Sequence, residues 1–187
     1  HRDLHSFPTR RSSDLNIENN GTGTITNNGT IEVSGNFTNA GTATLTPGAG
    51  LVKFIGNTNT TLDTGGDALN NVEMAKTGNA TVTLAAPASI AGNLSFTGAG
   101  SKLVLGTNDL TVTMAPADPI SATVDHPTNG YVVTNSAGKL VKSISANNVA
   151  FVHEIGDATN YTPVSSNVTG SYSSATLAAR EIGRAHV

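Results

Sequence analysis

Three lines of nearly repeating text, NGTGTITN, NGTIEVSGN and AGTATLTPG, fill residues 20–50 and restrict this chain to a fold of short strands. In each, a glycine (Gly21, Gly29, Gly41) precedes a threonine at the head of a run rich in threonine and aliphatic residues. Gly and Asn accept the left-handed backbone angles of tight corners, whereas Thr and Ile favour the pleated strand. The same rhythm continues to about Met114: LVKFIGN, ATVTLAA, SIAGNLSFTG, KLVLG and DLTVTM follow one another, joined by short runs rich in Gly, Asn, Thr, Ala and Pro. Alternation within Thr30-Ile31-Glu32-Val33 and Leu103-Val104-Leu105 sends successive side chains to opposite faces. No part of this stretch shows the apolar spacing of three and four that a helix needs to bury one face.

Two all-β architectures accommodate such text. In an antiparallel meander Asn20-Gly21 and Asn28-Gly29 serve as two-residue hairpin turns. In a parallel β-solenoid the same residues are corners, and each strand pairs with the next coil. From Leu51 onward, turns such as Thr64-Gly65-Gly66-Asp67 and Pro87-Ala88 fall at irregular intervals, which suits hairpin arithmetic poorly. The expectation is therefore a parallel β-solenoid (β-helix) over residues 16–118, with coils of about twenty residues. Its predicted interior is Ile25, Ile31, Val33, Phe37, Leu45, Val52, Phe54, Leu62, Leu69, Val72, Val82, Leu84, Ile90, Leu94, Phe96, Leu103, Leu105, Leu110 and Val112.

The prolines and acids of APADPISATVDHP, residues 115–127, interrupt the rhythm and mark an expected boundary. Beyond it, residues 119–180 read as a small antiparallel β-module. Residues 130–134 and 139–144 are predicted to form a hairpin about the turn Asn135–Gly138. Residues 149–155, 161–168 and 175–179 supply further strands.

The two ends differ from everything between them. HRDLHSFPTRRSSDL, residues 1–15, and EIGRAHV, residues 181–187, look like translated sequencing adapters. Arg11–Leu15 is encoded by CGCTCTTCCGATCT and Glu181–Ala185 by a frame through AGATCGGAAGAGC, strings that share a reverse-complementary core. Both segments are left out of the fold reasoning, and residues 16–180 are expected to be an internal fragment of a longer protein. The whole chain has ten basic and thirteen acidic residues; without the two ends, six and ten remain. A mildly acidic remainder lacks the electrostatic footprint of a nucleic-acid binder. Cysteine is absent, so disulfides and thiolate metal sites are excluded. No apolar run is long enough for a membrane-spanning helix.

GNLSFTGAGSKLVLGTNDLTV, then GYVVTNSAGKLVKSI, then VAFVHEIGDATNYTPVS, resembles the repetitive stalk regions of large adhesin-like surface proteins of Bacteroidetes exported by the type IX secretion system. Ile155-Gly156 followed by Tyr161-Thr162-Pro163-Val164 meets the family's last segment, with His153-Glu154 standing where Phe-Pro is usual. The resemblance spans most of residues 20–168. It implies a secreted or cell-surface scaffold that is not an enzyme, with glycans or other surface proteins as partners, and no cofactor.

The chemistry-bearing residues are few. His153, Glu154 and Asp157 lie within five positions, but neighbours on a strand point apart, and Asp157 in a Gly-Asp turn serves to bind nearby amides. Asp63, Asp67, Asp109, Asp118 and Asp125 read as loop-capping acids rather than a calcium site. Thr97–Lys102 has the Lys and Ser of a phosphate loop in the wrong order and reads as a turn. Lys53, Lys76 and Lys102 are dispersed, with no acidic cluster to make the catalytic groove of a carbohydrate-active β-helix, which is the alternative function. No catalytic, cofactor-binding or metal-binding residue is assigned.

Overall fold

The structure, a computed structural model, describes residues 15–113, 120–122, 126–144, 149–170 and 175–182. The chain climbs in coils of three strands. The first coil comprises β1 (Ile17–Asn19), β2 (Thr24–Thr26) and β3 (Thr30–Val33), and the second β4 (Phe37–Asn39), β5 (Thr44–Thr46) and β6 (Leu51–Phe54). The third holds β7 (Thr60–Asp63), β8 (Ala68–Leu69) and β9 (Asn71–Met74); the fourth holds β10 (Thr81–Leu84), β11 (Ala88–Ile90) and β12 (Leu94–Phe96). β13 (Ser101–Val104), β14 (Leu110–Val112) and β15 (Ile120–Ala122) make the fifth. A single helical turn, α1 (His126–Asn129), leads into β16 (Gly130–Val133) and β17 (Leu140–Ile144). β18 (Val149–His153), β19 (Ile155–Gly156), β20 (Val164–Val168) and β21 (Ala175–Ala179) follow.

First strands stack into a seven-stranded sheet, β1-β4-β7-β10-β13-β16-β19, and third strands into β3-β6-β9-β12-β15. Both sheets are parallel throughout, as the solenoid reading requires. Second strands make β2-β5 and β8-β11-β14-β17, with β21 added antiparallel at the far edge. This side divides between β5 and β8 because the Asp67 carboxylate, 2.7 Å from the Leu45 amide, takes the hydrogen bond that a strand carbonyl would otherwise accept. Coil length varies: Ile17 faces Phe37, twenty positions on, while Leu103 faces Val132, twenty-nine on. The strand register survives the longer coil.

Corners follow the chemistry read from the sequence. Gly21 and Gly41 sit at φ +87° and +74°, a region that β-carbon sterics close to most residues. The adjacent corner is held by a side-chain ladder. Asn19 and Asn39 are buried in register, with the Asn19 Nδ2 donating to Asn39 Oδ1 at 2.7 Å. Asn39 Nδ2 in turn donates to the Thr64 carbonyl at 3.1 Å and to Asp67. Replacing Asn39 with alanine strips partners from Asn19, Thr64 and Asp67 together. The expected loss is about 1–3 kcal/mol, the cost of stranding buried polar groups, measured as a lower urea midpoint.

Every predicted interior residue lies inside, with Ile25 and Ile31 of the first coil only half-buried. Met74, absent from that expectation, is fully buried between Phe54 and Phe96, its partners in register.

Two expectations for the C-terminal part are corrected. β16 and β17 are not a hairpin: β16 pairs in parallel with β13, and β17 in parallel with β14. The turn at Asn135–Gly138 is a coil corner, with the Gly138 amide donating to the Gly106 carbonyl one coil earlier. The parallel ladders also run past the boundary expected at residue 118, through β16 to β19. Among the described residues, antiparallel pairing joins β18 with β20 and β17 with β21, and an isolated antiparallel bridge links Gly156 to Tyr161. These strands occupy the end of the solenoid, where β18 departs from the third-strand sheet.

Candidate functional site

The residues considered for metal chemistry separate in the structure. His153 and Glu154 are both buried but take different partners. Glu154 Oε2 lies 3.3 Å from the Lys142 ammonium, whereas His153 Nε2 lies 3.1 Å from the Leu177 carbonyl oxygen. Asp157 stands apart at a turn, where one carboxylate oxygen accepts from the amides of Thr159 at 2.7 Å and Asn160 at 2.6 Å. Among the described residues, no three His, Asp or Glu side chains converge on a point that could hold a metal ion.

Hydrogen bonds from the Asn160 side chain, then the Thr159 and Asn160 amides, hold the Asp157 carboxyl well below the usual carboxylate range. The folded value lies below the unfolded one. The turn's stabilisation is therefore complete above about pH 4 and lost as pH falls through the lower folded value. A carbon-13 titration of the Asp157 carboxyl is expected to show a midpoint below the ordinary aspartate value, with the Thr159 and Asn160 amides losing protection together with it.

Other loop acids also cap main chain. Asp63 accepts from the Gly65 amide at 2.9 Å, and Asp109 from the Lys139 amide at 2.9 Å, one coil above. Asp118 and Asp125 lie outside the described residues. Residues 97–100 turn the chain from β12 into β13, whereas Ser101 and Lys102, expected in the same turn, already belong to β13.

The lysines behave less uniformly than their sequence spacing implied. Lys53 makes a half-buried pair with Glu73 at 3.3 Å, on an outer row of Glu32, Lys53 and Glu73 in register. Lys102 lies 5.5 Å from the centre of the Tyr131 ring, itself 5.5 Å from Tyr161. Burial, then the nearby Asp157 charge, pushes the Tyr131 phenol up. Lys76 is fully buried and donates to the carbonyls of Ile55 at 3.0 Å and Thr58 at 2.9 Å, stapling the preceding coil's corner. Burial pushes its pKa below the ordinary 10.5.

Lys142 is the more unusual. Its strand sends Leu140, Lys142 and Ile144 inward, and Lys142 takes the next place in the aliphatic row Leu69–Ile90–Val112. It is 1% exposed, donates to the Val152 carbonyl and to Glu154, and lies 5.6 Å from the Phe151 ring centre. A cation thus follows the aliphatic row on the last parallel strand of this sheet, and β21 adds antiparallel beyond it with Leu177 opposite Lys142. Sequence reasoning missed both buried lysines. The signal was the alternation itself, since Val72-Met74-Lys76 and Leu140-Lys142-Ile144 continue an inward period of two.

Outer faces differ in chemistry. The five-stranded second side presents Ala68, Ser89, Thr111, Val141 and Ala178 in one row, short and uncharged. Thr24, Thr26, Thr44 and Thr46 extend the same character over β2 and β5, all four exposed. Phe37, Phe54 and Phe96 are fully buried, as expected, and among the described residues Tyr161 is the one aromatic ring that is not buried. A shallow cavity of about 510 Å³ lies against β18 and β20, lined by Ala150, Phe151, Val152, Ser165, Ser166 and Asn167, none of them titratable. Among the described residues no helix is long and apolar enough to cross a membrane. No protein-family profile, curated protein or solved structure matches the chain.

Proposed function

We propose that this chain is a non-enzymatic, extracellular scaffold segment of an adhesin-like surface protein, secreted or displayed on the cell surface. The observation that carries the reading is the continuous parallel stacking of first strands and of third strands about one apolar column. Each coil is held by main-chain bonds and by the coils on either side, so the element resists bending and sets a distance between whatever flanks it. Several ionisable side chains serve this stacking: Asp63, Asp67 and Asp109 cap corners, Lys76 staples one, and Lys142 pairs with Glu154 inside. The resemblance to secreted stalk regions supports the same reading.

A carbohydrate-binding or carbohydrate-active β-helix is the alternative, and the uncharged Thr/Ser face is the feature that favours it. Hydroxyls on a flat face can hydrogen-bond sugars, but stacking platforms are scarce, so such contacts are weak. Incubating the purified chain with a polysaccharide panel separates the two. The expected result is an elongated particle by small-angle scattering, with no reducing-end or unsaturated product released. Product release, or saturable micromolar binding to one glycan, overturns the scaffold reading.

A further inference from the structure

We propose that His153 is a pH-sensitive latch that holds the C-terminal strands on the end of the solenoid and releases them in mild acid. Three elements meet at this residue. His153 ends β18, is fully buried, and packs its ring 5.4 Å from Phe151. Its Nε2 contacts the carbonyl of Leu177 on β21. Leu177 is the register partner of Lys142 on β17, so the imidazole clasps the added strand at the level of the buried cation.

A carbonyl oxygen only accepts, so Nε2 must carry the hydrogen in this contact, and the neutral imidazole suffices to make it. A second proton places a full positive charge on a ring without access to water. Lys142 stands opposite Leu177 in register, and Glu154 follows His153 in the chain; the two pair with each other at 3.3 Å. Leu177 and Ala175 of β21, and Val164 and Ser166 of β20, bring no charge. With the Glu154 carboxylate already paired to the Lys142 ammonium, burial penalises the added charge on the ring.

Detaching β18 and β21 returns the ring to water, where imidazole takes up a proton near pH 6.5. The released state binds the extra proton, so it gains population as pH falls through that value. From pH 7.5 to 5.5 a single linked proton shifts the latch equilibrium by about tenfold.

Hydrogen exchange on the intact chain tests this, with rates corrected for the intrinsic pH dependence and β10–β13 as internal reference. Protection across residues 175–179 is expected to fall about tenfold between pH 7.5 and 5.5 while the reference strands hold. His153→Gln, which keeps a donor for the Leu177 carbonyl but cannot charge, is expected to remove that dependence. An unchanged dependence in His153→Gln, or pH-insensitive protection in the natural chain, overturns the proposal. Should the variant fold poorly, the His153 ring resonances decide. Titration near pH 6.5 with residues 175–179 still protected overturns it, and titration that coincides with their loss of protection supports it.

Discussion

Truncating Lys142 to alanine is expected to lower stability by about 3–5 kcal/mol, the cost of leaving a buried carboxylate without its counter-charge. Glu154 is 3% exposed, and its Oε2 lies 3.3 Å from the ammonium. Without Lys142 it must either keep a charge in dry surroundings or take up a proton. The Val152 carbonyl loses the Lys142 hydrogen bond in the same step. The informative comparison is Lys142→Met combined with Glu154→Leu, which removes both charges and continues the aliphatic row of Ile90 and Val112. That pair is expected to recover most of the loss or to exceed the natural chain, because removing both members of a buried ion pair avoids the desolvation cost. Urea unfolding of the two variants reads the difference. A loss under about 1 kcal/mol for Lys142→Ala would mean that Glu154 reaches water, and that the end of the column is open.

Phe96→Ala carries the second large effect, about 3–5 kcal/mol for emptying an aromatic volume from a close-packed column. Phe96 is fully buried and stands in register with Met74, which faces Phe54 in turn. Gly130 borders the same ring, at φ +130° and with no space for a β-carbon beside the Ser101 carbonyl, so no side chain from that position fills the void. In a stacked-coil protein each coil is stabilised through its neighbours. The substitution is therefore expected to uncouple the coils on either side of β12 and to lower the urea m-value along with the midpoint. A single transition with an unchanged m-value would show that the lost contact is absorbed locally.

Alternation along Val52–Phe54, Val82–Leu84 and Leu103–Leu105 was sufficient to place the interior, because the pleat assigns every second side chain to one face whatever its partner strand. Corner chemistry at Gly21 and Gly41 was equally legible, since few residues tolerate the positive φ found there. The misread element was residues 130–144. Two short strands about a four-residue turn make the same local text whether they pair with each other or with earlier coils. Pattern reports the face of each residue, while the destination of the main-chain bonds is a non-local matter. Here the Leu110 amide reaches the Lys139 carbonyl across a whole coil.

The polar cluster at the end of the column was hidden for a related reason. As text, His153 and Glu154 read only as strand neighbours pointing apart, and Lys142 as part of a hairpin strand. Only the parallel stacking of β17 on β14 brings Lys142 inward to Glu154, and only the antiparallel addition of β21 brings the Leu177 carbonyl to His153. Residue chemistry along the chain thus dictated strand, corner and interior, because those follow from side-chain volume, backbone sterics and a period of two. The identity of each strand's neighbour, and with it the place of every buried charge, came from three-dimensional pairing, since a hydrogen-bonding edge is alike on every strand and packing alone selects its mate.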